Sequence, residues 1–430
     1  MRSPVGAPGA IYRSVRRAAR VTLSAVSTRG GYWVGEQLFR LMGRRPRGRE
    51  LVLARVERVL VVRLDEIGDA VMTTAFLREL RANLPNAWIT LLVKPGVQEL
   101  FALCPHVNEV LGYNGRGTTL LGELRCWWNG FILAWRQLWP RRFDLAIVPR
   151  WDVDYYHATL IAYLSGAIWR AGYSERVIHY KQCLNSGYDR VLTHPIMDAS
   201  ARHEVDRGLE LLRRLGGTVR EEGLELWTDP EGERFAAELL ASSGVHPDEL
   251  LVALGPGSGA PRRTWPVDRF VELASWLRNE YHARIVVLGG RGEEPLGAEV
   301  QQNVGDAVID LVGRTTLRQT VALLRHCRLF VGNDSGPKHM AVALGLPVVE
   351  ICCHPTGGWA LHATSPERFG PWGVPCTVVR PEHFNPPCTD GCESGEAHCI
   401  LGVSIKQVTE AVARLLQDLS SGVVPQPARR

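Results

Sequence analysis

Three short segments hold residue types at spacings that could do chemistry. The first, Asp65-Glu66-Ile67-Gly68-Asp69, puts three carboxylates within five residues directly behind the apolar run VLVVRL. A carboxylate at the mouth of a buried strand can take a proton from a hydroxyl, and Asp69 is the candidate general base. The same acids could instead cap the following helix and favour its dipole. The second, Gly255-Pro256-Gly257-Ser258-Gly259, is followed by Arg262, Arg263, Thr264 and Trp265-Pro266. Such a loop can turn backbone N–H groups towards phosphate oxygens, with an arginine to grip them bidentately. It has neither the G-K-[ST] ending of a Walker loop nor the G-x-G-x-x-G dinucleotide fingerprint, and a plain turn would also account for it. The third, Gly332-Asn333-Asp334-Ser335-Gly336-Pro337-Lys338-His339, lies between LFV and MAVALG. Small and polar residues at a helix start, where N–H groups are free and the dipole is positive, suit a diphosphate. Ser335, Gly336 and His339 are the candidate contacts, and Lys338 would add charge if it faces a cleft. A capped helix start with a satisfied histidine is the alternative.

Other groups are less specific. Glu293 and Glu294 follow Gly289-Gly290 and could accept hydrogen bonds from ribose hydroxyls. FDLAIVPRW, residues 143–151, reads as a strand whose C-terminal end would deliver Arg150, Trp151, Asp152 and Asp154 to a crevice. Cys388-x3-Cys392-x6-Cys399, with His398 nearby or Cys376 upstream, offers soft ligands for zinc or an iron–sulfur group. The spacing matches no strong metal pattern, and unliganded or redox-paired thiols are the competing reading. Cys327, Cys352 and Cys353 sit in apolar sequence, as buried thiols of a reducing compartment would.

These segments need elements to position them. VLVVRL (59–64) reads as a central parallel strand, and the sequence after it gives a helical face through Ala70, Met72 to Thr74, Leu77 and Leu80 before Pro85. WITLLV (88–93) completes a βαβ unit. Trp127, Trp128, Trp135 and Trp139, among Ile132 and Leu133, suggest an aromatic helix that packs on the sheet or meets lipid. A helix over 203–215 should stop at Gly216-Gly217. Strand, glycine turn and helix alternate again from LVALGPGSG (251–259), through a helix at 268–279 and RIVVLGG (284–290), to the strand ending at Val331. Both halves therefore read as doubly wound α/β domains with a cleft between them.

Composition agrees. The chain has 430 residues, 45% apolar and 22% charged, enough for two cores, and its net charge of +5 is too small to signal nucleic-acid binding. Residues 1–50 carry eleven arginines against Glu36 and Glu50, so the remainder is slightly acidic. This extension has no apolar run long enough to cross a bilayer, and it does not read as an export signal. Residues 11–23 could form a basic helix on an anionic membrane surface, or remain a solvated arm.

Taken together, the segments resemble the ADP-heptose:lipopolysaccharide heptosyltransferases, glycosyltransferase family 9 of the GT-B type. The resemblance rests on VVRLDEIGDAVMTTAFLRELRANLP, AIWRAGYSERV with HEVDRGLELLRRLG, LGPGSGAPRRTWPVDRF, VVLGGRGEE, LVGRTTLRQTVALLRHCRLFVGNDSGPKHMAVALGLPVV and PWG at 371–373. It spans about residues 55 to 415. It implies two Rossmann-like domains, an acceptor domain over 51–240 and a nucleotide-sugar domain over 241–415; the basic extension (1–50) departs from the simplest members, and residues 416–430 are expected to form a flexible tail. It implies an inverting transfer with Asp69 as base. Donor contacts would come from Gly257, Ser258, Arg263, Glu293 or Glu294, Asp334, Ser335, Gly336, Lys338 and His339. Asp65, Glu66, Arg150, Asp152 and Asp154 are expected on the acceptor side. The implied donor is ADP-heptose, the acceptor a glycolipid or saccharide, and the location the cytoplasm or the inner face of its membrane. The scheme requires no metal or other cofactor. Transfer of another sugar to another acceptor would use the same base and loops, and a non-catalytic scaffold would bind donor without turnover.

Overall fold

The computed structural model describes residues 50–115 and 120–421. The basic arm and its candidate membrane helix at 11–23 lie outside them. The described chain forms two six-stranded sheets. The first contains β1 (Arg58–Arg63), β2 (Trp88–Val93), β3 (Glu109–Gly112), β4 (Leu145–Val148), β5 (Trp169–Tyr173) and β6 (His194–Ile196), in the order β3-β2-β1-β4-β5-β6. The second contains β7 (Leu251–Gly255), β8 (Arg284–Val287), β9 (Val308–Asp310), β10 (Leu329–Asn333), β11 (Val348–Ile351) and β12 (Cys376–Val379), in the order β12-β11-β10-β7-β8-β9. Counted from its own first strand, the second sheet repeats the order of the first. All pairings are parallel. Parallel sheets need both faces covered, which is why Val59 to Val62, Val252 to Leu254 and Leu329 to Val331 are all buried.

Helices supply the cover. Besides short helices at Gln98–Phe101, His179–Leu184 and Pro366–Phe369, they are α1 (Ile67–Met72), α2 (Thr74–Asn83), α3 (Leu120–Leu133), α4 (Ala158–Leu164), α5 (Glu204–Arg214), α6 (Pro230–Ser242), α7 (Val267–Tyr281), α8 (Glu294–Val304), α9 (Leu317–Leu324), α10 (Gly336–Ala343) and α11 (Ile405–Ser420). The helix expected after β1 is two helices. Thr73 Oγ1 donates to Asp69 O and Thr74 Oγ1 to Val71 O, each at 2.8 Å, so two hydroxyls engage carbonyls at the break. α5 ends where Gly216 takes φ +87°, a conformation that costs glycine nothing. α6 packs on α9 of the second half, with Arg318 Nη1 donating to Asp229 at its start (2.7 Å), although the sequence reading places most of it in the first half.

Two expectations need correction. The aromatic segment does not simply pack on the sheet: Ala134, Leu138 and half-buried Trp139 do, but Trp128 and Trp135 are 64% and 60% exposed. The helical spacing puts them on the outer face. At the other end, α11 continues to Ser420, past the point where a flexible tail was expected to begin. Its Leu416 and Leu419 pack against the second core, and a Ser404/Gln407 capping box starts it.

Candidate active site

In a doubly wound sheet, the loops leaving two adjacent strands whose connections run in opposite directions enclose a crevice at the strands' C-terminal ends. The strand orders place that switch between β1 and β4 in the first sheet and between β7 and β10 in the second. The four loops at these points carry Asp65–Asp69, Arg150–Asp154, Gly255–Gly259 and Asp334–His339, so all the strongest sequence candidates fall at switch points.

On the first side, Asp69 occupies the first turn of α1, with its side chain 15% exposed. Arg63 Nη2 donates to Asp69 Oδ1 at 3.1 Å, and Arg150 Nη1 stands 3.8 Å from the same oxygen. Among the described residues Oδ2 has no hydrogen-bond partner. Burial opposes ionisation of Asp69, but the guanidiniums of Arg63 and Arg150 outweigh it and hold the carboxyl below its usual value. Asp65 meets the same arginines, at 3.2 Å from Arg63 Nε and 2.7 Å from Arg150 Nη1, yet its deeper burial dominates and raises its pKa. Of this adjacent pair, Asp69 is therefore the more readily ionised.

The other candidates on this side divide. Glu66 is exposed and takes hydrogen bonds from Lys94 Nζ (2.7 Å) and Tyr156 OH (2.6 Å). Asp152 pairs with Arg368 at 2.9 Å. Asp154 is not available to an acceptor: its two oxygens accept from Ala158 N (2.9 Å) and Thr159 N (2.8 Å), capping α4. Its expected acceptor-side role gives way to a structural one.

On the second side, Asn333 ties the two phosphate-loop candidates together, donating to Pro256 O (2.7 Å) and accepting from Trp265 N (3.2 Å). Asp334 lies 2.9 Å from Arg263 Nη1, 2.6 Å from Lys338 Nζ and 3.6 Å from His339 Nε2. Burial works against its charge, but Lys338, His339 and Arg263 together hold its pKa well below the carboxylate norm. Burial and Lys338 push His339 down, towards its neutral form. Lys338 itself does not face the cleft. It is fully buried and donates to Asp334, Glu350 (3.2 Å) and Phe369 O (2.7 Å), so its three N–H groups are used and none remains for phosphate.

Three polar atoms here are buried without a protein partner: Ser335 Oγ, Arg262 Nε and Arg263 Nε. Ser335 stands at the N-cap of α10 but makes no side-chain cap bond. An unpaired buried donor is costly, and a bound anion would remove that cost. The Ser258 hydroxyl is occupied within its own loop, by Ala260 O (2.6 Å) and Thr264 Oγ1 (2.8 Å), which leaves only the backbone of this loop for a ligand. The two glutamates separate. Glu293 accepts from Gly290 N (2.8 Å) and lies where a Cβ on Gly257 would be, so it touches the glycine loop. Glu294 accepts from Gly292 N (2.7 Å) and turns towards Gly313.

The two sides meet directly. A Cβ on Gly68 would stand 2.5 Å from His339 Cδ2, and one on Gly336 would stand 3.3 Å from Ile67 Cβ. The α1 helix, which carries Asp69, thus packs against α10, which begins at the candidate diphosphate site. A buried clasp beside it joins the halves. Arg368 binds Glu204 through Nε (2.9 Å) and Nη2 (2.8 Å) as well as Asp152, while the Trp151 ring centroid lies 3.7 Å from the Arg207 guanidinium and 4.9 Å from that of Arg368. Sequence reasoning missed Arg63, Arg368 and Lys181. Lys181 donates to Arg150 O, Trp151 O and Tyr173 O at 2.9–3.3 Å, which fixes the loop after β4, and burial lowers its pKa to about 8. Arg63 had a signal, a lone charge in an apolar strand; Lys181 and Arg368 had none.

Comparisons with known proteins agree with this fold. The model of glycosyltransferase family 9 (heptosyltransferase) matches residues 133–398. Lipopolysaccharide heptosyltransferase 2 of Salmonella typhimurium is 26% identical over 308 residues, 68% of this chain and 82% of that protein. Lipopolysaccharide core heptosyltransferase OpsX of Haemophilus influenzae is 21% identical over 323 residues, 74% of this chain and 83% of its own. Among solved structures, a family 9 glycosyl transferase from Veillonella parvula superposes with TM-score 0.68 at 21% identity, covering 84% of this chain and 97% of that one. E. coli ADP-heptose lipopolysaccharide heptosyltransferase II gives 0.61, also at 21% identity, covering 84% and 99%. With a GT-B architecture and a family model that matches more than half of its 430 residues, the chain belongs to glycosyltransferase family 9, the heptosyltransferases.

Proposed function

We propose that this enzyme transfers a heptose or closely similar sugar from an ADP-sugar to a lipopolysaccharide-core or related glycolipid acceptor, with inversion at the anomeric carbon. The contact between α1 and α10 carries the reading, because it sets the Asp69 carboxylate beside the helix start suited to the donor diphosphate. In this scheme the acceptor hydroxyl attacks the anomeric carbon from the first half of the molecule. The new carbon–oxygen bond forms as the bond to the diphosphate breaks, and the hydroxyl proton passes to Asp69 Oδ2. Arg263 and the N–H groups at Ser335 and Gly336 stabilise the departing nucleoside diphosphate. Glu293, at the glycine loop, holds the ribose hydroxyls. Asp334 stays ionised and orients Arg263.

The names of the relatives support heptose, ADP and a lipopolysaccharide acceptor. A glycolipid acceptor puts the reaction at a membrane surface, although no helix among the described residues is long and apolar enough to cross one. The test is turnover against a panel of ADP-, UDP- and GDP-sugars with glycolipid acceptors truncated at successive core sugars. ADP-heptose should be the preferred donor, and product from it should carry the inverted anomeric configuration. Retention, or preference for another nucleotide, would overturn the corresponding part.

A further inference from the structure

Beyond the transfer site, we propose a structural metal centre formed by Cys388, Cys392, His398 and Cys399, which takes one thiophilic divalent ion, zinc or ferrous iron. The four ligand atoms lie within 4.8 Å of one another. His398 Nδ1 is 3.6 Å from Cys388 Sγ and 3.5 Å from Cys399 Sγ. Metal–sulfur and metal–nitrogen bonds of about 2.3 and 2.0 Å at a tetrahedral angle require a sulfur–nitrogen edge of about 3.5 Å. Two edges of a Cys3His tetrahedron are therefore already at that length, and the other four are no longer than 4.8 Å. Cys376, the other ligand weighed from sequence, lies on β12 and outside this group.

The surroundings supply a reason for an ion. Residues 380–398 form no helix or strand, yet Cys392 and Cys399 in and just after this stretch are fully buried. Long irregular segments inside a compact domain need an anchor, and a metal provides one where regular hydrogen bonding does not. Asn385 supports the group from behind, with its side chain donating to His398 O at 3.1 Å and its carbonyl accepting from Cys388 N at 2.9 Å.

The anchored segment reaches the donor side. Trp265 Nε1 donates to Val403 O at 2.9 Å and Arg269 Nη1 to Leu401 O at 2.9 Å, so the turn after Cys399 braces the loop that carries Arg263. Trp359 N donates to Asp390 O at 2.7 Å, and Gly391 lies against the His362 ring. A metal at this point would hold the donor loop in place without touching substrate; this role, unlike the ion itself, rests on the donor reading above.

Elemental analysis of the full chain, purified under reducing conditions, should find stoichiometric zinc or iron, and the identity of the element separates the two sources. Cobalt(II) added to metal-stripped protein should give the d–d and thiolate charge-transfer bands of a tetrahedral site. Cys392→Ser should lose the ion and His398→Cys should keep it, while Cys376→Ser leaves the content unchanged. If Cys392→Ser fails to fold, the cobalt spectrum of the wild-type chain decides. Stripping the ion should speed proteolysis within residues 380–403 and raise the donor KM several-fold. Reduced full-length protein that neither carries zinc or iron nor takes up cobalt would overturn the proposal, as would a disulfide among these cysteines. Metal present with an unchanged donor KM would overturn only the bracing role.

Discussion

Asp69 and its neighbours show how little of a carboxylate's role follows from its type. Asp65, Asp69, Asp152 and Asp154 all stand at the ends of β1 and β4, but their partners differ. Asp154 spends both oxygens on backbone N–H groups, Asp65 is buried deeply enough to resist ionisation, and Asp69 keeps one oxygen free. Replacing Asp69 by Asn should preserve the hydrogen bond to Arg63 while removing the proposed base, and lower kcat by about 10²–10⁴-fold. Steady-state kinetics would show this. Gly68 offers a second test, since the added methyl of Gly68→Ala must displace the His339 ring 2.5 Å away. Overpacking of this kind costs roughly 1–3 kcal/mol, and here it should also part α1 from α10. Calorimetry and kcat should fall together; a variant with full activity would show that the two helices need not touch. The acidic motif after β1, the glycine loop and the D-S-G-x-x-H run were legible in the sequence, because backbone constraints at strand ends leave their mark in residue type. The burial of Lys338 was not, because a lysine between two glycine-rich turns reads as exposed until Glu350, twelve residues on, closes over it.

At the scale of elements, the clasp formed by Arg368 with α5 and the loop after β4 holds the two halves. Arg368→Met would leave Asp152 without its ion-pair partner and Glu204 with only the longer contact to Arg207 Nε (3.4 Å), and loss of one partner of a buried ion pair costs about 3–5 kcal/mol. The melting temperature should drop by several degrees, and the change should be smaller for the double variant Arg368→Met, Glu204→Gln, which removes one of the two under-compensated charges. His203 ties α5 to the same region: its Nε2–H donates to Gly370 O at 2.9 Å, while Nδ1 accepts from Val205 N at 3.2 Å. Burial pushes its pKa down to about 3, whereas the unfolded chain protonates it near 6.5. The folded state thus holds the ring neutral. Its contribution is complete above pH 6.5 and is lost as the pH falls from there towards 3, with a slope of up to about 1.4 kcal/mol per pH unit. Thermal melts across this range should flatten in His203→Asn, which keeps a cap acceptor that does not titrate. Strands and helices were largely readable from apolar runs and glycine stops. The break at Thr73 was not, since it depends on two hydroxyls turning back to carbonyls that a hydrophobic pattern does not register.

For the molecule as a whole, two sheets with the same strand order meet where the loop after β1 touches the start of α10 and the loop after β4 reaches Arg368. Strand–turn–helix alternation in both halves announced two doubly wound units. What it left out was how they meet, because the contacts of Gly68 with His339 and of Arg368 with Asp152 and Glu204 join residues more than 150 positions apart. A ligand that bridges the cleft should stabilise the folded chain by mass action, by about 2.7 kcal/mol at a hundred times its Kd. Thermal shift should therefore rank ADP above UDP and GDP, with the shift reduced in Arg263→Ala. Equal shifts from all three would show that the site reads only the diphosphate.

The central claim is that Asp69 removes the acceptor proton while the second half holds an ADP-sugar. Single-turnover transfer of labelled heptose from ADP-heptose to a core-truncated glycolipid, measured for wild type and Asp69→Asn beside the ADP affinity of each, tests it most directly. The account predicts labelled glycolipid with the wild type, a loss of about 10²–10⁴-fold in the variant, and the same ADP affinity in both. Transfer at the wild-type rate by Asp69→Asn, or tight ADP-heptose binding by the wild type with no transfer, would contradict it.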